Sequence, residues 1–224
     1  MLVAKIDEYD KEVLQQVIEN LDAYDFFSYS DVDEWYINTQ SFSFNTGITV
    51  EFGCSKAVFI SDDCDWVLKT NLKRDVMDKY YDYCRKEADH YEQAANLHLD
   101  KSFAACYFFE EVCGYEFYIQ EKVFVSEEEV SSHCYDYVSN QYNEYFEEEG
   151  YDEEERNERV YDCMYDMVDE ERLYAMFSEH LTGIELDALI TFIQSMDIND
   201  LHFANFGYRY ADLGEPVIID YSGY

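Results

Sequence analysis

Excess acid is the first constraint on this chain. Of its 224 residues, 51 are aspartate or glutamate and only 15 are lysine or arginine, a formal charge of −36. Charge of that size opposes compaction by self-repulsion, and in a polar chain it would predict disorder. Here 48% of the residues are apolar, including 23 Tyr and 16 Phe. The chain can therefore bury a core, and its length suits one domain or a domain with a large insertion. The imbalance also bears on partners. Phosphate backbones and anionic membranes are held by clustered cations, which are scarce here. Direct binding to nucleic acid or membrane is not expected, and a basic protein partner is. No run of about 18 apolar residues occurs, so no membrane span is expected. The stretch MLVAKIDEYDKEV carries acids where a secretory leader carries cations, which predicts a cytoplasmic location. Seven cysteines, none in a C-x-x-C pair or at zinc spacing, read as free thiols.

Apolar spacing at 13, 14, 17 and 21 predicts an amphipathic helix over 11–24, and the partial alternation of EWYINTQSFSF (34–44) predicts a strand. AVFI (57–60) and WVLK (66–69), joined by the polar SDDCD, predict a hairpin. Residues 73–97 read as one helix, and two apolar runs around Cys113 and Gly114 as a second hairpin. Composition shifts at Ser126: residues 126–187 hold 21 acids and three arginines. Ser126 followed by Glu127, Glu128 and Glu129 opens like a capped helix, since the helix N-terminus favours acids. Gly150 breaks that helix, a second resumes over 151–177, and 183–196 forms a more apolar one. EPVIIDYSGY reads as a buried strand and a tight turn.

Chemistry concentrates in 197–224. Asp200 and Asn205 lie five apart, and Asp220 closes the apolar run VIID. Asn205 and Asp220 are hard oxygen ligands suited to a divalent cation, and Asp200 can orient an attacking hydroxyl. Each also has a plainer reading as a loop, cap or turn residue. The segment INDLHFAN (198–205) followed by DYS (220–222) resembles the catalytic loop and Asp-Phe-Gly motif of protein kinases and related small-molecule kinases. The D-L-H-x-x-N form is more like small phage-encoded and aminoglycoside-kinase-like members. Upstream, FGCSKAVFISDDCDWVLK resembles the glycine-rich loop and the two strands that follow it.

The resemblance implies an α+β, kinase-like fold. An antiparallel N-lobe sheet with one helix, within 1–123 and preceded by an acidic extension, would be joined to a reduced, mostly helical C-lobe over 124–224. The C-lobe would carry an acidic helical insertion at about 126–181. It implies ATP and Mg2+ as cofactors. Gly53 and Ser55 would lie over the phosphates, Val58 over the adenine, and Lys69 on the α- and β-phosphates. Glu87 would pair with Lys69, with Glu92 as the alternative. Residues 119–123, Glu121 and Val123 among them, would meet the adenine edge. Asp200 would be the catalytic acceptor, and Asn205 and Asp220 the metal ligands. The sequence departs from the family pattern in three places. Its loop has one clear glycine, Ile198-Asn199 replaces His-Arg, and the sequence given ends four residues after Asp220.

Two functions are expected from these features. The first is an acidic kinase-like scaffold that mimics nucleic acid and inhibits a basic, nucleic-acid-binding defence protein. A phage-encoded anti-defence inhibitor fits the small size and extreme acidity, and Glu147, Glu148, Glu149, Asp152, Glu153, Glu154 and Glu155 would form the densest part of its surface. A solvated helix face is the plainer account of that run. The alternative is an active ATP- and Mg2+-dependent phosphotransferase acting on a basic protein or a small molecule.

Overall fold

The computed structural model describes residues 6–28, 32–52, 56–72, 82–124, 146–147, 149–164, 168, 170–199, 201–202, 205–209 and 212–222, with the backbone alone at 32–34, 158, 160–164, 171, 175 and 212–214. The protein is mixed α+β. The described residues fall in two compact units: those up to Gln93 with Ala105–Lys122, and Ala94–Ala104 with those from Val123 onward.

The first unit is built on a five-stranded antiparallel sheet. Its strands are β1 (Thr49–Phe52), β2 (Lys56–Ile60), β3 (Trp66–Asn71), β4 (Cys106–Val112) and β5 (Tyr115–Glu121), in the order β1-β2-β3-β5-β4. Both expected hairpins form, β2–β3 and β4–β5. Cys113 (φ 53°) and Gly114 (φ 76°) make the two-residue turn of the second, where two left-handed residues match the twist of the strands they join.

Strand alternation gives the sheet two unlike faces. Ala57, Phe59, Leu68, Tyr115, Phe117 and Ile119 point to one side and join the core. Helix α1 (Glu8–Ala23) covers that side with Leu14, Val17, Ile18 and Leu21, the i, i+3, i+4, i+7 stripe of an amphipathic helix. Asp7 caps it by accepting from the Asp10 backbone N–H at 2.8 Å. The opposite face carries Lys56, Val58, Lys69, Asn71, Tyr118 and Gln120, as the strand register requires.

One expectation is overturned here. Residues 34–44 do not form a strand; they lie in helix α2 (Val32–Thr46). The buried positions are Trp35 and Phe42, seven apart, while Tyr36, Ile37 and Phe44 are exposed. Phe42 packs edge-on against Phe26 at 5.2 Å and Tyr24 at 5.5 Å between ring centroids. Thr39 and Thr46 donate their hydroxyls back to the Trp35 and Phe42 carbonyls, each at 2.8 Å, which satisfies them inside a helix. Among the described residues the first unit thus has three α-helices. Two of them, α1 and α2, contribute to the core on the apolar face, where the sequence analysis placed one helix beside the sheet and a helical extension before it.

The third, α3 (Tyr83–Asn96), covers the second half of the expected 73–97 helix; residues 73–81 lie outside the described residues. Asp82 fixes its start. The carboxylate accepts from the Arg85 backbone N–H at 3.1 Å and from the Asn71 side-chain amide at 2.5 Å. Asn71 Oδ1 in turn accepts from the Cys84 N–H at 3.2 Å. The end of β3 is therefore bonded directly to the first turn of α3. Burial, the largest effect, pushes the Asp82 carboxyl above its usual range against the pull of these donors.

The second unit holds α4 (Glu153–Met164), α5 (Glu170–Phe177), α6 (Gly183–Ser195) and a hairpin of β6 (Phe206–Arg209) with β7 (Asp212–Ile218). Of the helix expected from Ser126, residues 126–145 and 148 lie outside the described residues, and Phe146 and Glu147 are helical. Gly150 stands at φ 89°, a conformation that suits glycine. The break before the resumed helix is at the expected place, but the single helix expected over 151–177 is divided: α4 ends at Met164 and α5 begins at Glu170, with Val168 in neither. The apolar helix over 183–196 is α6, opened by a capping box in which Thr182 and Glu185 bond each other's backbone. Strand β6 has no counterpart among the elements expected from the sequence.

Glu185 carries a pH dependence. Its carboxylate accepts from Lys101 Nζ at 2.5 Å and from Thr182, which holds its pKa down at about 2 from the usual 4.5. The ionised form is favoured in the folded state, so this contribution is complete above about pH 4.5 and is lost as pH falls toward about 2. Carboxyl-resolved NMR titration should give that low midpoint, and Lys101→Ala should move it upward. A midpoint unchanged by the substitution would show that Lys101 does not hold Glu185 in solution.

Candidate functional site

The polar face of the first unit brings a set of ionisable side chains together under α3. Lys69 Nζ donates to Glu87 Oε2 at 2.7 Å and to Gln120 Oε1 at 3.1 Å. Lys56 Nζ donates to the other carboxylate oxygen, Glu87 Oε1, at 2.5 Å. Glu87 is fully buried, and Lys56 and Lys69 are 6% and 4% exposed. Burying charge costs several kcal/mol per ion unless geometry and hydrogen bonds compensate. Here each oxygen of one carboxylate takes an ammonium donor.

Local sequence explains the convergence. Lys69 and Asn71 are two apart on β3 and so share a face. Asn71 and Asp82 fix where α3 begins, and Glu87 follows a little over one turn into the helix. Gln120 shares its face with Tyr118, which lies directly opposite Lys69 in the register. Val58 faces Lys69 from β2, and Lys56 faces Asn71. The thiols of Cys84 and Cys106 are buried nearby. Burial first and the Glu87 charge second push both well above their usual range, so they stay neutral beside the ion pairs. Glu92 lines a cavity of about 280 Å3 with Arg85, Ala88, Tyr91, Phe108 and Tyr118. Neither Lys56, Lys69 nor Glu87 lines that cavity.

Gly53 and Ser55 lie outside the described residues. Glu121 ends β5, where its backbone N–H donates to the Ala105 carbonyl at 2.8 Å and its carboxylate accepts from the Ala105 N–H at 3.2 Å. Val123 follows and is half-buried.

In the second unit, hairpin pairing brings the start of β6 beside the end of β7, with Phe206 opposite Ile218. Asn205 and Ile219 are therefore neighbours, and the Ile219 N–H donates to the Asn205 carbonyl at 2.8 Å. Asn205 is buried, and its own N–H donates to the His202 carbonyl at 2.9 Å. Asp220, half-buried, accepts from the Ser222 hydroxyl at 3.2 Å. Tyr221 anchors the segment: its ring is fully buried against Phe103 at 5.0 Å, and its hydroxyl donates to the Ala104 carbonyl at 2.6 Å. Asp200 lies outside the described residues. Among the described residues no group of three His, Cys, Asp or Glu side chains gathers as a metal site. Asn205 and Asp220 offer two hard oxygens, which suit a magnesium ion that takes its remaining ligands from phosphate and water.

Of the acidic run, Glu147, Glu149, Asp152, Glu153, Glu154 and Glu155 are exposed, and Glu148 lies outside the described residues. Part of this acidity has a local cause. Asp152 Oδ1 caps α4 by accepting from the Glu154 and Glu155 N–H groups, both at 3.0 Å. Glu155 reaches back to the Asp152 N–H at 3.2 Å, a reciprocal cap.

Sequence reasoning missed Lys56 and Asn71, took Gln120 only as part of the 119–123 segment, and took Tyr221 only as the middle residue of the DYS motif. Strand parity carries a signal for the first: Lys56 is two residues from Val58 and must share its face. Comparison with protein-family models, curated proteins and solved structures finds no match for this chain.

Proposed function

We propose that this protein binds the phosphates of a nucleoside triphosphate on the polar face of its first unit and acts as a kinase-like phosphotransferase. One observation carries the reading: Lys69 and Glu87 meet at 2.7 Å in a buried site, with Gln120 and a second lysine on the same groups. A buried ion pair is weak as a source of stability, because volume-matched apolar residues serve as well or better. An orienting role for Glu87, holding an ammonium ready for phosphate, accounts for charge in this position.

The kinase resemblance supplies the other roles. Lys69 would hold the α- and β-phosphates. Asp200 would accept the proton of a substrate hydroxyl as the γ-phosphoryl passes to its oxygen and ADP leaves. Asn205 and Asp220 would hold Mg2+, which when bound neutralises charge on the phosphate oxygens. The strongly negative surface favours a basic substrate. Incubation with γ-labelled ATP and basic acceptors such as protamine should transfer label, and Asp200→Ala should stop it while leaving the protein folded. Transfer undiminished in Asp200→Ala would overturn the assigned chemistry.

A second reading, the nucleic-acid-mimicking inhibitor, is favoured by the exposed carboxylates Glu147, Glu149 and Asp152 to Glu155 on a chain of charge −36. It expects competition with DNA for a basic nuclease, weakening steeply between about 50 and about 200 mM salt. Inhibition independent of salt would remove it.

A further inference from the structure

The cavity of about 280 Å3 in the first unit lies between α3 and the β4–β5 hairpin, and neither function above assigns it a role. Its lining residues Arg85, Asp89 and Phe108 are exposed, so it opens to solvent. We propose that this cavity seats the side chain of an arginine from a basic polypeptide partner. The inference goes beyond the nucleotide reading and holds whether or not the chain transfers phosphate.

The lining joins aromatic rings to carboxylates. Phe108 and Tyr118 lie opposite each other on β4 and β5 and meet edge to face, 5.6 Å between ring centroids. Asp89 and Glu92, three apart on α3, share a side of the helix, and Glu116 adds a third carboxylate from β5. Among the described lining residues Arg85 is the one lysine or arginine, and it is committed. Its Nε donates to the Tyr118 hydroxyl at 3.4 Å, its guanidinium pairs with Glu116, and the Tyr118 hydroxyl donates to Glu116 at 2.7 Å. This wall thus already holds one guanidinium by a phenol and a carboxylate. Asp89 has no ion-pair partner among the described residues and stands exposed at the rim. A guanidinium stacks on aromatic rings and meets carboxylates with paired donors, which a compact ammonium does less well. The volume is below the range of about 300–1,000 Å3 usual for whole small molecules, and suits one long side chain. A chain of charge −36 also attracts a polybasic segment far more strongly than a single free cation.

The test titrates the full chain, without nucleotide, with a blocked peptide of alternating arginine and glycine, followed by backbone amide NMR at about 150 mM salt to screen diffuse attraction. Shifts should saturate and concentrate on α3 and β4. The lysine counterpart, equal in charge, should bind at least about threefold more weakly. Asp89→Asn and Phe108→Leu should each weaken the arginine peptide about threefold, and the two together about tenfold. Phe108→Leu keeps charge and apolar bulk and removes only the ring. Glu154→Gln removes an exposed acid in the second unit and should leave affinity within about 1.5-fold. Binding by the double variant within about twofold of native, or an equal loss in Glu154→Gln, would show diffuse charge attraction and overturn the seat. Equal affinity for the lysine peptide would overturn its choice of arginine. Arginine amide saturating the same amides as tightly as the peptide would make the occupant a free cation and overturn the polypeptide assignment. A native protein with no shifts on α3 and β4 would overturn the proposal outright.

Discussion

Glu87→Ala should destabilise the first unit by about 3–5 kcal/mol, the usual consequence of removing one partner from a buried charge pair. Glu87 is fully buried and accepts from both Lys56 and Lys69. Its loss removes the carboxylate to which both ammonium groups donate, while the Gln120 carbonyl goes on accepting from Lys69. Glu87→Gln keeps the shape and one acceptor and should fall between the native protein and the alanine variant. Lys69→Met should be far milder. It replaces an ammonium by an apolar group of similar length and leaves Glu87 paired with Lys56. Urea unfolding of the three variants reads the ranking directly. A cost below about 1 kcal/mol for Glu87→Ala would mean that the three charges do not meet in a dry interior.

Phe42→Ala should cost about 3–5 kcal/mol, and Phe44→Ala no more than about 0.5 kcal/mol. Phe42 is fully buried, with aromatic contacts to Tyr24, Phe26 and Phe59, while Phe44 is 89% exposed. The contrast depends on α2 being a helix. In a strand, residues two apart share a face and the two substitutions would have similar effects. In a helix, two residues apart means roughly opposite sides. Paired unfolding curves decide it, and equal losses at the two positions would contradict the helix.

This segment also shows where sequence is ambiguous. Trp35 with Ile37 and Phe42 with Phe44 each alternate, although the two pairs are out of phase, and Trp35 with Phe42 fits helical spacing. A window this short cannot separate the two periods. Burial of Trp35 and Phe42 against Phe26 and Phe59 selects the helix. The two hairpins are legible because each has its own turn chemistry: a polar stretch at 61–65, and Cys113-Gly114 between apolar runs. The meeting of Lys69 with Glu87 is harder to read. A helix rich in acids offers Glu92 as well, and five residues of helix turn the two toward different directions. What selects Glu87 is the anchoring of α3 by Asn71 and Asp82, a long-range contact with no local signature. Lys56 escapes notice because the family pattern directs attention to one lysine, although strand parity places it on the same face. Tyr221 reads as part of a terminal turn, and its fixing role depends on the Ala104 carbonyl, more than a hundred residues away.

The central claim is that the lysine-bearing face holds nucleotide phosphates, and calorimetric titration of MgATP tests it most directly. The native protein should bind saturably. Lys69→Met, expected to fold normally, should lose that binding, and Asp220→Ala should lose it when Mg2+ accompanies the nucleotide. Absence of heat with all three proteins folded, or native affinity retained in Lys69→Met, would contradict the account and leave the buried charges a structural feature of the sheet.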